Sequence, residues 1–209
     1  MIKTILTKLE KLKTLDSKFS IFGADSHKYI LEPKLSEDEI VKFEQENKIN
    51  LPDEYRQFLM HAYNGGAGPF YGMLNLDSEE NNKKYLPEEF PFDFNNPFSI
   101  FDLMDDAPED DDENEAFWDE INKQACSGII FLAHEGCGMF SVLVVKGKEY
   151  GNVWFFDLAN DAGVFPLANS LGKPMGFYEW YNIWLDSAVN ELENGVDSLQ
   201  SYSDFIPES

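Results

Sequence analysis

His134 and Cys137, close together in His134-Glu135-Gly136-Cys137-Gly138, come nearest in this sequence to a thiol with a base. A nucleophilic cysteine needs its base within hydrogen-bond reach and a third group that orients the base. This segment has a turn composition and no separate orienting group, so no catalytic residue is assigned. Cys126, Cys137 and His134 do not make a zinc site, because no pair has the C-x₂₋₄-C spacing of a structural centre. His27 is placed in a loop and His61 on a helix. The run Asp105, Asp106, Glu109, Asp110, Asp111, Asp112, Glu113 and Glu115 suits a hard cation by composition. It lacks the alternating ligands, central glycine and distal glutamate of an EF-hand loop, which leaves only weak, nonspecific cation association. Gly65-Gly66-Ala67-Gly68 follows a helix instead of leading from a strand into one, so it is a turn and not a phosphate cradle. Nothing in the spacing of the carboxylates singles out an acid and base pair. Metal and cofactor are both assigned as none.

Charge is the dominant compositional feature. Against 39 acidic residues stand 16 basic ones, giving a formal net charge of -23 and a sequence pI near 4.2. Phosphate binding requires clustered Lys and Arg that release counterions, and Arg56 is the one arginine, so nucleic acid is excluded as a partner. A basic protein is the partner such a surface attracts, over a range that salt screens to about 8–10 Å. Plain solubility is the alternative that charge alone leaves open. Two cysteines are too few for a disulfide framework. The N-terminal MIKTILTKLEKLKTL has no apolar run like a secretory signal, and no window reaches the roughly 18 apolar residues of a membrane span. The chain is expected in the cytoplasm, with no membrane partner.

The elements that must position these residues follow from periodicity. Ile2, Ile5, Leu6, Leu9 and Leu12 have helical spacing, with Lys3, Lys8, Lys11 and Lys13 between them, and predict an N-terminal helix over 1–15 that covers a core. A membrane-surface or target-peptide helix is the alternative reading. Ser36 and Glu39 form a capping-box pair that starts a second helix, carrying Ile40 and Phe43 inward to about Asn47. Leu51-Pro52-Asp53-Glu54-Tyr55 opens a third, with Pro52 at the first helical position and acids complementing the dipole. Tyr55, Phe58, Leu59 and Ala62 form its buried stripe, and Asn64-Gly65-Gly66 ends it.

Residues 70–76 and 98–104 resemble short strands. Self-repulsion predicts that 105–115 is a solvated loop or the acidic start of a helix containing Phe117, Trp118 and Ile121. Strands at 129–133, 139–145, 152–156 and 164–167, separated by glycine-containing turns, predict an antiparallel meander. Phe177, Trp180, Tyr181, Trp184, Leu185, Ala188 and Leu192 predict a last helix that stops near Gly195. This order predicts one α+β domain over 1–209, with a central antiparallel sheet covered by helices and an exposed sheet face or edge for a partner.

Two segments together resemble the SUKH superfamily, which includes the fungal Smi/Knr cell-wall-assembly regulators and many bacterial immunity proteins. The first is Leu51-Pro52-Asp53-Glu54-Tyr55-Arg56-Gln57-Phe58-Leu59 with Asn64-Gly65-Gly66. The second runs from Gly136-Cys137-Gly138 through Leu143-Val144-Val145 to Gly147-Lys148-Glu149-Tyr150-Gly151-Asn152-Val153-Trp154. The resemblance spans about 35–184 and places an acidic insertion at about 105–115. It implies that Leu51, Pro52, Tyr55, Phe58, Leu59, Asn64, Gly65, Gly66, Gly138, Gly147, Gly151 and Trp154 are structural, and it brings no catalytic constellation. It implies an immunity protein that binds and neutralises a cognate, basic, nuclease-type toxin domain. A regulator or scaffold that recognises an endogenous protein is the alternative. The eight acids from Asp105 to Glu115 are the expected contact region, and oligomeric state is left unassigned.

Overall fold

A computed structural model describes residues 1–108 and 110–195. Within them the chain forms helices α1 (Ile2–Leu15), α2 (Ala24–His27), α3 (Glu37–Asn47) and α4 (Asp53–His61), and then strand β1 (Phe98–Ser99). A 3₁₀ turn follows at Phe101–Asp106, and after it come α5 (Asp111–Cys126), β2 (Ile129–Gly136), β3 (Met139–Val144), β4 (Val153–Asp157), β5 (Gly163–Pro166) and α6 (Phe177–Asn194). The architecture is α+β. The five strands pair antiparallel throughout, in the order β1-β5-β4-β3-β2.

Side chains alternate across this sheet and divide the core in two. Ile130, Leu132, Leu143 and Val153 face Ile5, Leu9 and Leu12 of α1, Tyr55, Phe58 and Leu59 of α4, and Phe177, Trp180, Tyr181 and Trp184 of α6. Ile129, Phe131, Val142, Val144, Trp154, Phe156 and Val164 point the other way, toward Ile121 and Ala125 of α5 and toward Phe90, Phe98 and Ile100. A register shift between Phe131 and Ala133 lets consecutive residues Leu132 and Ala133 enter the same core, as a β-bulge does. Strands buried on both faces read as continuous apolar runs, and Ile129-Ile130-Phe131-Leu132-Ala133 is one. The sheet therefore lacks the fully solvated face that a half-buried meander would have.

Most local signals sit where the sequence places them. Ser36 caps α3 with a reciprocal box: its Oγ accepts from the Glu39 N–H at 3.3 Å, and its own N–H donates to Glu39 Oε2 at 2.8 Å. Pro52 is the N-cap of α4 and not its first helical residue, because its ψ of 138° is extended. Residues 70–76 form no strand; Met73 instead makes single bridges to Gly66 and Ala133, and the segment covers the outer edge of β2. Only Phe98 and Ser99 of the stretch 98–104 are strand, before the chain tightens into the 3₁₀ turn. His27 lies in the one-turn helix α2, too short to show periodicity.

Two buried or long-range carboxylates hold the helices in place. Asp16, 1% exposed, accepts from the N–H and hydroxyl of Ser20, both at 2.7 Å, from the Ile21 N–H at 3.1 Å and from the Tyr29 hydroxyl at 2.7 Å. Burial alone would raise its pKa, but these donors outweigh burial and hold it below the usual carboxylate value. Burial lowers neighbouring His27 to about 4, although Asp16 and Asp25 oppose the shift. At the start of α6, Gly176 provides no side-chain cap. Glu54 Oε2, from the first turn of α4, accepts the Tyr178 N–H there at 2.9 Å, so one helix caps another.

A candidate partner-binding surface

The acidic stretch is the start of α5. Asp110 is its N-cap, and Oδ1 accepts from the N–H groups of Asp112 at 3.1 Å and Glu113 at 3.2 Å. Asn114 Nδ2 donates to the Pro108 carbonyl at 2.8 Å and ties the entering chain to the first turn. Asp111, Asp112 and Glu113 fill that turn, where the unpaired amides of a helix start favour negative charge. Asp110, Asp111, Asp112, Glu113 and Glu115 are all exposed. Glu109 lies outside the described residues, as do the side chains of Asp105 and Asp106.

Asp112, Glu115 and Asp119, at spacings of three and four, extend one exposed acidic face along the helix. The sequence reading stops at Glu115; the same spacing carried one turn further would have found Asp119. Below them, half-buried Phe117 and Trp118, with ring centroids 5.1 Å apart, and buried Ile121 and Ala125 fasten the helix to the sheet.

Sequence reasoning missed a groove of about 890 Å³ at the hairpin end of the sheet's second face. Its floor is Phe131, Phe140 and Phe156, its far end is at Leu158 and Ala159, and the loop 77–84 forms one wall. The floor rings pack edge-on, Phe131 lying 4.9 Å from Phe140 and 5.0 Å from Phe156. These residues come from three strands, so no sequence window contains the groove.

The residues that first suggested chemistry are dispersed. His134 is in β2, its ring 5.5 Å from Tyr71 and 5.0 Å from Phe140. Cys137 is exposed at the β2–β3 tip, where its carbonyl accepts from Asn160 Nδ2 at 3.0 Å. Burial pushes the Cys126 thiol up to about 11, which suppresses the thiolate. Among the described residues no group of three or more His, Cys, Asp or Glu could hold a metal ion. No described helix is long and apolar enough to cross a membrane. Among the described residues Glu135 is the most perturbed carboxyl. Burial raises it to about 7, even though the Ser141 hydroxyl donates to Oε1. That hydroxyl in turn accepts from Trp180 Nε1 at 3.2 Å.

The helix-and-turn motif is a packing device. Leu51, Tyr55, Phe58 and Leu59 are each at most 2% exposed, and Pro52 is buried. Asn64 Oδ1 accepts the Leu76 N–H at 2.9 Å. Gly66 has φ 104°, and a Cβ there would lie 2.2 Å from the Ile30 carbonyl oxygen, so only glycine lets the two backbones meet. Gly65, Gly138, Gly147 and Gly151 also have positive φ, and Trp154 is fully buried between β4 and the 90–100 segment. A family model described as SMI1 / KNR4 family (SUKH-1) matches residues 34–175. The chain belongs to the SMI1/KNR4 family. Comparisons with curated proteins and with solved structures return no match. The SMI1/KNR4 region takes in α3, α4, the glycine turn, α5 and the whole sheet, and therefore both the acidic helix face and the groove. Helices α1 and α6 lie outside it and complete the first core.

Proposed function

We propose that this SMI1/KNR4 family member is an immunity protein that binds and neutralises a basic, nuclease-type toxin domain without catalysing a reaction. The observation that carries the reading is the net charge of -23, with carboxylates exposed along the start of α5. A nuclease domain presents Lys and Arg where it holds phosphate, and an acidic face laid over them blocks substrate while speeding association. Asp110, Asp111, Asp112, Glu113 and Glu115 are the proposed contacts, on a helix fixed by its apolar face. Family membership supports a role in binding proteins, and the half-buried thiol at Cys126, pushed up by its burial, and the dispersed histidines offer no rival centre.

The test is retention from producer-cell lysate on this protein at low and then moderate salt, with identification by mass spectrometry and assay of what is retained. A basic toxin domain whose activity falls in proportion to added protein is the expected result. Retention of housekeeping proteins alone, with no toxin inhibited, overturns it in favour of a regulatory SMI1/KNR4-type role.

A further inference from the structure

We propose that the groove floored by Phe131, Phe140 and Phe156 is a second contact site, which takes an apolar side chain flanked by Lys or Arg from the partner protein. The inference rests on the reading above only in taking the partner to be basic; the groove itself supplies the rest. Its floor is aromatic, with Phe131 and Phe156 each 6% exposed and Phe140 half-buried, so the sheet's second face stays open where α5 and the 90–100 segment do not reach. Its wall is acidic. Asp77 is engaged by Lys83 at 2.8 Å, and the Lys84 ammonium lies 5.0 Å over the Tyr85 ring. Among the described residues no cation stands within ion-pair distance of the exposed carboxylates Glu79 and Glu80.

An apolar floor beside a wall of net negative charge, two of whose carboxylates stand outside ion pairs, selects an occupant that is apolar at its centre and cationic at its edges. A Lys or Arg stem can lie along the rings while its head reaches Glu79 or Glu80. The other described wall, Asn122 and Cys126, belongs to α5, so the groove continues from the helix whose exposed face carries the acidic residues. One partner can engage both: charge on the helix guides approach, and the seated side chain slows departure.

The experiment uses the full chain and two synthetic heptapeptides, acetyl-Lys-Leu-Lys-Trp-Lys-Leu-Lys-amide and its counterpart with Ser at the three apolar positions, followed by amide chemical shifts. The apolar peptide is expected to shift the amides of Gly138, Phe140 and Ala159 saturably and to bind at least about tenfold more tightly than the Ser peptide, the gain from seating one large apolar side chain. Phe140→Ser should remove that advantage. Glu79→Gln with Glu80→Gln, on an exposed loop where folding is not at stake, should weaken the apolar peptide and flatten its salt dependence. Equal affinity for the two peptides, or shifts confined to residues 111–115, overturns the proposal. Peptide seating without any inhibited toxin would refute the immunity reading and leave the groove site standing. A toxin bound by a protein whose groove ignores the peptide would do the reverse.

Discussion

Replacing Glu135 by Gln should remove a pH dependence that the fold builds into its own stability. The carboxyl accepts from the Ser141 hydroxyl, which in turn accepts from Trp180, and burial raises its pKa from 4.5 to about 7. Between those values the folded chain holds a proton that the unfolded chain releases, so stability falls as pH rises through the window. The full span from 4.5 to about 7 corresponds to about 3 kcal/mol, at about 1.4 kcal/mol per pH unit. Glu135 keeps some exposure, and solvent relaxation there reduces the expected effect to about 2 kcal/mol. His27 acts in the opposite sense. Its folded pKa of about 4 lies below the usual 6.5, so its contribution is lost as pH falls through that interval. The two partly offset each other in the wild type, and only a difference curve separates them. Urea unfolding of wild type and Glu135→Gln at several pH values from 4.5 to 8 provides it. The wild type should lose about 2 kcal/mol relative to the variant across the range, since Gln keeps an acceptor for Ser141 and carries no charge. Parallel curves for the two proteins would refute the reasoning.

Changing Asp110, Asp111 and Asp112 together to Asn should slow association with the captured toxin domain and flatten its salt dependence. It should cost at most about 1 kcal/mol of stability, because Asn caps a helix as well as Asp does; unchanged association rates at low salt in stopped-flow would remove these residues from the interface. Gly163→Ala should destabilise by about 2 kcal/mol or more, since φ is 137° and a Cβ would lie 2.0 Å from the Phe98 carbonyl oxygen, forcing β1 off β5. Gly172→Ala, with φ 67° and open space around it, is the control, and equal losses for both in thermal unfolding would show that the β1 contact does not matter.

The sequence by itself determined the acidic character, four of the five longer helices, the four longer strands and their antiparallel order. Each of these depends on residues close together in the chain: the Ser36 and Glu39 box, the LPDEY start, the glycine turns, and the helical spacing from Phe177 to Leu192. It also left 105–115 as either loop or helix start, and the amides that Asp110 caps decided for a helix from Asp111. What only the tertiary structure decided depends on residues far apart. The Glu54 cap on α6 joins positions 124 apart, and β1 is a strand because β5 lies beside it. Helix α5 and the 90–100 segment together close most of a second sheet face that the sequence reading left to solvent or a partner. The groove draws its floor from β2, β3 and β4, and the raised pKa of Glu135 arises from its enclosure. Local pattern carries the free energy of a turn or a cap, whereas burial and charge compensation are set by which distant surfaces meet.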